Sequence, residues 1–212
     1  MTTDSIPDDD FPIDGLPGLD PSPDEEAWET YLTFALEHLG ADGNTGLTNA
    51  ALAELEGAIG AQLPFEVGLL LVMGVPDDDR WRRWGDDPAA EFAAWNAGLL
   101  DGVLFDVEEN DVWNDGWGPR PESESGRAEI VTAAFNTAPA LLPLYGHRAI
   151  PVGHALGEER AESNPVLSIS ATDVITYGAD LAAWLHAEFD VPLPMWPETP
   201  PRRFEFWSDF IE

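Results

Sequence analysis

The chain is predicted to fold as an α+β domain, with a small mixed or antiparallel sheet flanked by several helices. Helical patterns dominate the first 136 residues, and short apolar runs broken by Pro and Gly gather after Pro139. The 212 residues, of which 44% are hydrophobic, suffice for one domain at 22–212. Residues 1–21 are rich in Asp, Pro and Gly and are predicted to be a flexible acidic tail.

The helices are predicted from their caps and apolar stripes. The first begins at Ser22, because residues 22–25 have the spacing of a capping box, and it ends at Gly40. The second starts near Thr48, and Pro64 leads into a third, strongly apolar helix, FEVGLLLVMG. Two shorter helical patterns follow, at 89–100 and 128–136.

Three strands are predicted in the second half, from the runs ALLPLYG, RAIPVG and NPVLSIS. The next run, DVITYG, is predicted to be a short helix that Thr172 or Asp173 caps and that Gly178 ends. Asp180, or the residue before it, then starts a last helix with Leu181, Trp184 and its neighbours on one face. The final segment, PPRRFEFWSDFIE, is rich in aromatic residues and is therefore predicted to pack against the rest of the fold.

The charge balance excludes several function classes. The chain has 41 acidic residues against nine basic ones, all of them Arg, and its net charge of −32 disfavours direct binding to nucleic acid or to an anionic membrane. The acidity has two open explanations, a high-salt or GC-rich background and a basic partner. The absence of Cys excludes disulfides, and without a signal segment or an apolar span we expect a cytoplasmic protein.

No catalytic motif is recognisable, so neither catalytic residues nor a cofactor nor a metal is predicted. The chain lacks GxGxxG, GxxxxGK[ST] and GxSxG, and the absence of Lys excludes a P-loop or Schiff-base lysine. His147 and His154, seven residues apart, form only a weak metal-ligand pattern.

A carboxylate-based, glycosidase-like hydrolase remains an alternative. Glu108, Asp111 and Asp115 stand near Trp113 and Trp117, and such enzymes need two acids beside a sugar-stacking surface. A chain with 41 acids and nine Trp residues also produces such neighbourhoods by chance.

Loop residues with strong chemical character are the candidate contact residues. The Arg and Trp residues at 80–84 are flanked by acids, which predicts local ion pairs and cation–π stacking. Arg148 lies inside an apolar stretch and is predicted to have its own buried carboxylate. The candidate binding residues are Arg82, Trp84, Asp111, Trp113, Trp117, His147 and Arg148.

Several segments together resemble bacterial members of the SUKH superfamily, the Smi/Knr-type domains. They are LLPLYGHRAIPV, NPVLSISATDVITYGADLAAWLHAEF and FEFWSDF, with AQLPFEVGLLLVMG and DVWNDGWGPRP upstream, so that the resemblance extends from about residue 48 to the end. It implies an α+β fold, with a small sheet flanked by helices, and no catalytic machinery.

The resemblance also implies a binding function. Many members of this superfamily are immunity proteins that neutralise bacterial toxins, and others are cytoplasmic scaffold or regulatory proteins. We therefore expect a non-enzymatic module whose acidic face occludes the cleft of a basic toxin or nuclease. A scaffold or small-molecule-binding role is the alternative within the same family.

Overall fold

One four-stranded antiparallel sheet lies between two groups of helices in the computed structural model, which describes residues 23–41, 44–152, 163–195 and 200–211. This arrangement confirms the predicted α+β class. The described helices are α1 Glu25–His38, α2 Asn49–Ile59, α3 Phe65–Met73, α4 Pro88–Glu109, α5 Glu124–Thr137 and α6 Leu181–Phe189. The strands are β1 Ala140–Tyr145, β2 Arg148–Val152, β3 Val166–Ser170 and β4 Asp173–Gly178.

The strands follow one another across the sheet in the order β1-β2-β3-β4, so β1 and β4 are its two edges. The edge of β1 is partly covered, because Arg82 N donates to Leu144 O at 2.8 Å and Gly146 N donates to Arg80 O at 2.7 Å. β4 pairs with β3 alone among the described strands.

Both faces of the sheet are buried at β1 and β2, which explains why these two strands read as nearly continuous apolar runs. In β1, Leu142 and Leu144 pack with α1, α3 and α6, whereas Leu141 packs on the opposite face with α4 and α5. The second face also buries Phe206 and Trp207, so the C-terminal aromatic segment is packed as predicted.

The segment DVITYG is a strand, and the prediction of a short helix there is wrong. Val174 is buried and Ile175 is exposed, a period of two that is typical of a strand covered on one face. The turn before it was difficult to recognise, because Ala171 adopts a positive φ of 55° where Gly or Asn is usual. Gly178 ends this strand, and a Cβ there would lie 2.5 Å from Trp184 N in α6.

Helix boundaries also differ from the prediction, and α5 begins at Glu124, four residues before the helix predicted at 128–136. α1 begins at Glu25 with Asp24 as its N-cap, since Asp24 Oδ1 accepts from Ala27 N at 2.9 Å; Ser22 lies outside the described residues. α4 continues to Glu109, nine residues beyond the predicted helix at 89–100. Thr48 and Asp180 cap α2 and α6 as predicted.

The cap of α6 places a carboxylate in a partly buried position. Asp180 Oδ1 accepts from Ala183 N at 2.7 Å, and Tyr31 Oη donates nearby to Ala182 O. Burial raises the pKa of the Asp180 carboxyl, and burial followed by the charge of Asp180 raises the pKa of Tyr31. The ionised cap is therefore less favourable in the folded chain than in water.

Replacing Asp180 by Asn is expected to raise the melting temperature at pH 7, because Asn keeps the capping acceptor and removes the charge. The carboxyl pKa is raised on folding, so stability is lost as pH rises from the unfolded value of about 3.9 through the folded value. The advantage of Asp180→Asn should therefore shrink towards pH 4. Thermal unfolding between pH 4 and 7 measures it, with Asp180→Ala as the control that lacks the cap and is about 1 kcal/mol less stable than Asp180→Asn.

Candidate protein-binding groove

The predicted contact residues fall into two groups that the fold keeps apart. Arg82, Trp84, His147 and Arg148 lie near the turn between β1 and β2, whereas the other three lie on the loop between α4 and α5. Those three are Asp111, Trp113 and Trp117.

Arg148 has the dedicated carboxylate that the sequence predicts. Its Nε donates to Glu188 Oε2 at 2.9 Å, and its Nη1 donates to Ser168 Oγ at 3.0 Å and contacts His147 Nε2. The guanidinium lies 3.8 Å from the ring centre of Tyr177. Arg148 is only 9% exposed and connects β2, β3, β4 and α6, so it stabilises the fold and offers little surface to a partner.

Arg82 and Trp84 are also used within the fold. Arg82 Nη2 donates to Glu91 Oε2 at 2.8 Å, and its guanidinium lies 4.9 Å from the Trp84 ring, as the prediction of ion pairs and cation–π stacking requires. Both residues line a depression of about 300 Å³ beside residues 44–47. Arg82 Nε and Trp84 Nε1 are buried there without a hydrogen-bond partner.

The loop after α4 is an aromatic cluster. Trp113 donates through Nε1 to Gly118 O at 2.8 Å and packs edge-to-face on Trp117, which in turn stacks on Phe206. Asp111 forms an exposed ion pair with Arg120. The two Trp rings are therefore half-buried packing elements rather than a free stacking surface.

The carboxylates of this loop do not favour the hydrolase alternative. Glu108 is bound by Arg127 through both oxygens, and the hydrogen bonds from Arg127 lower the pKa of the Glu108 carboxyl. A general acid needs the opposite, a raised pKa in an apolar pocket. Asp111 and Asp115 are exposed.

A groove of about 880 Å³, here called the β4 groove, lies beside the β3–β4 turn and the first half of β4 and is larger than the depression at residues 44–47. Its walls are α4, the β3–β4 turn and the C-terminal segment. It is lined by Phe105, Asp106, Asn110, Val112, residues 170–175, Phe210 and Ile211. Two of the most exposed large apolar side chains, Phe105 at 59% and Ile175 at 54%, border it. Apolar groups presented in this way mark interaction surfaces.

The rim of the β4 groove is acidic. Asp101 and Glu109 lie one helical turn before and after Phe105 on α4, and all three are exposed. Asp173 and Asp209 add exposed carboxylates on the strand and on the C-terminal segment. Within the described lining there is no basic side chain, so the groove combines apolar walls with unopposed negative charge.

Asp106 fixes the geometry of the groove. Its Oδ2 accepts from Thr172 N at 3.0 Å and from Thr172 Oγ1 at 2.6 Å, and its Oδ1 accepts from Asn110 Nδ2 at 2.6 Å. A Cβ at Gly102 would lie 3.2 Å from Ala171 Cβ, so α4 and the β3–β4 turn are in close contact. Burial raises the pKa of the Asp106 carboxyl, but the hydrogen bonds from Thr172 and Asn110 outweigh burial and lower it.

The sequence patterns did not predict this groove, and none of the candidate binding residues lines it. Because a helix was predicted at 173–178, the edge strand was not recognised. The helix predicted at 89–100 also stopped before Phe105. One signal was present: Phe105 stands between two acids at helical spacing, outside the apolar stripe of Val103 and Val107.

Comparisons with known proteins add no family. No protein-family model matches the chain, and neither curated proteins nor solved structures yield a match. Within the described ranges, no helix has the length and apolar character needed to cross a bilayer. No cluster of three or more His, Asp or Glu side chains could hold a metal within those ranges, which omit His154.

Removing Arg148 alone is expected to destabilise the fold strongly, since Glu188, whose side chain is only 16% exposed, would lose its cation. Arg148→Met should lower the free energy of unfolding by about 3 kcal/mol. The double variant Arg148→Met/Glu188→Met should recover much of that loss, because it removes both charges. Urea unfolding of the three proteins measures the coupling, and equal losses in the single and double variants would contradict a dedicated pair.

Asp106→Ala is expected to cost about 1–3 kcal/mol, because both donors of Thr172 lose their acceptor. The pKa of Asp106 is lowered on folding, so its contribution is present above the unfolded value of about 3.9 and is lost as pH falls through the folded value. Chemical unfolding should show a large difference in the free energy of unfolding between this variant and the wild type at pH 7, and a small difference at pH 3. Asp101→Ala, an exposed acid on the same helix, is the matched control and should change stability by less than about 0.5 kcal/mol.

Proposed function

We propose that this chain is a non-enzymatic binding module that holds a basic protein partner in the β4 groove. The observation that carries the proposal is the groove itself, which Phe105 and Ile175 border with exposed apolar side chains and whose charged lining residues, Asp106 and Asp173, are both acidic. Apolar walls supply burial free energy on binding, and the acidic rim selects partners by charge.

The arginines of the chain support a basic partner. Among the described residues, ion pairs with carboxylates of the same chain are formed by Arg80, Arg82, Arg83, Arg120, Arg127 and Arg148. Even if each of the nine arginines neutralised a different acid, 32 of the 41 acids would remain. A field of this sign accelerates encounter with a cationic surface and repels an anionic one.

An immunity role is the form of this function that we favour. The segments LLPLYGHRAIPV and NPVLSISATDVITYGADLAAWLHAEF resemble SUKH proteins, many of which neutralise toxins. A nuclease toxin has a basic cleft, which fits an acidic rim, so we propose inhibition by occlusion of that cleft. A cytoplasmic scaffold or regulatory protein would use the same groove for a different basic partner.

The test measures binding to a catalytically inactive form of a basic nuclease toxin domain, here called the toxin domain. The rim variant Asp101→Asn/Glu109→Gln/Asp173→Asn is expected to weaken affinity about tenfold or more, since three rim charges contribute about 0.5 kcal/mol each. Titration at low and high salt should show that the wild-type association rate falls as salt rises.

The matched control removes three charges from the opposite side of the sheet. The variant Glu25→Gln/Glu26→Gln/Glu29→Gln changes exposed acids of α1, so both variants have a net charge of −29, from −32 plus 3. It should lower the association rate slightly and leave the dissociation rate unchanged. Equal losses in both variants would contradict the groove as the site, and the absence of any complex at low salt would contradict the proposed function.

A further inference from the structure

We propose that the partner binds by adding an extended segment with basic residues as a fifth strand on the free edge of β4. This inference rests on the proposed function, because it states how the same groove takes its partner. It specifies a backbone-to-backbone interaction, with alternate side chains of the added segment entering the β4 groove.

The two edges of the sheet are not equivalent. The edge of β1 is covered where Arg80 and Arg82 form backbone hydrogen bonds with Gly146 and Leu144. Five of the six residues of β4 pair with β3 on one side, and no other described strand pairs with β4. An edge of this kind presents unpaired N–H and C=O groups, which are the recognition element in β-strand addition.

The side chains around β4 define what the added strand needs. Val174 points towards α4, with which it shares a buried core, so side chains of a fifth strand on that side would lie beside Phe105 and Phe210 in the groove. Asp173 and Ile175 alternate with Val174, so their exposed side chains point away from α4, while both residues border the groove at the edge of the strand. The segment therefore needs apolar residues on the groove side and basic residues on the other, in strict alternation.

Charge decides between the possible occupants of this edge. Residues 1–22 of the chain contain six Asp and no Arg, so this segment would bring negative charge to a negative rim. A second copy would bring two chains of net charge −32 edge to edge. Both are disfavoured by like-charge repulsion, whereas a basic segment from another protein is attracted.

The probe is a seven-residue peptide of alternating Lys and Val, Lys-Val-Lys-Val-Lys-Val-Lys. Two control peptides carry the same charge. In one, the Val residues are N-methylated, so their backbone nitrogens cannot donate hydrogen bonds to β4. In the other, the Lys and Val residues stand in separate blocks. Hydrogen–deuterium exchange of the wild-type protein should show slowed amides at 173–178 with the alternating peptide, by about tenfold at saturation. The controls should bind at least about tenfold more weakly, a loss of about 1.4 kcal/mol.

A variant of the protein tests the same edge independently. Ile175→Lys places a cation on the exposed edge. It is expected to weaken binding of the alternating peptide at least tenfold, because a charged edge opposes strand addition. Leu193→Lys is the matched control: it alters a 49% exposed apolar residue outside the lining of the groove and makes the same change in charge. It should bind the peptide nearly as well as the wild type.

The outcomes separate this inference from the proposed function. If the three peptides bind equally and the amides at 173–178 are unchanged, strand addition is wrong, while a basic partner held by side chains remains. If the toxin domain binds and Ile175→Lys has no effect beyond that of Leu193→Lys, strand addition is again wrong. If neither basic peptides nor the toxin domain bind at low salt, both proposals fail.

Discussion

A sheet that is buried on both faces can meet another molecule only at its edges. In this chain the helices α1, α3 and α6 cover one face, and α4 and α5 cover the other. The strands can therefore be apolar throughout, but their outward recognition is confined to β1 and β4. Since residues 80–82 bond to the edge of β1, the fold leaves β4 as its open side.

The groove beside β4 follows from the same constraint. α4 has 22 residues, and Phe105 lies on its outer face, away from the apolar stripe that contains the buried Val103 and Val107. Asp106 and Gly102 hold the β3–β4 turn against this helix, which keeps the walls at a fixed separation. A rigid groove of this kind lowers the ordering cost of binding.

Electrostatics and shape have separate roles in this surface. The net charge of −32 acts over the whole molecule and is screened beyond roughly 8–10 Å at physiological salt, so it governs encounter and not the choice among basic partners. Selectivity comes from the apolar groove and the strand edge, where distances are short. No described Arg residue lines this groove, and six described Arg residues form ion pairs with acids of the same chain.

Local signals in the sequence determined the helices and most strands. Caps at Thr48 and Asp180 and the apolar stripes depend on neighbours within about four residues, which is the range over which such patterns are reliable. The partner of Arg148 was also foreseeable as a class, because a cation in an apolar strand needs a carboxylate; that it is Glu188 of α6 depended on the fold.

Tertiary structure decided that residues 173–178 form an edge strand and that a groove lies beside them. Val174, Ile175, Thr176 and Tyr177 all favour a strand by composition, but pairing with β3 and the packing of the turn at Ala171 against α4 make this strand the edge of the sheet. The residues with the strongest chemical character, such as Trp113 and Arg82, satisfy one another inside the fold. The open surface instead consists of ordinary apolar and acidic side chains, whose meaning comes from long-range packing that no local pattern encodes.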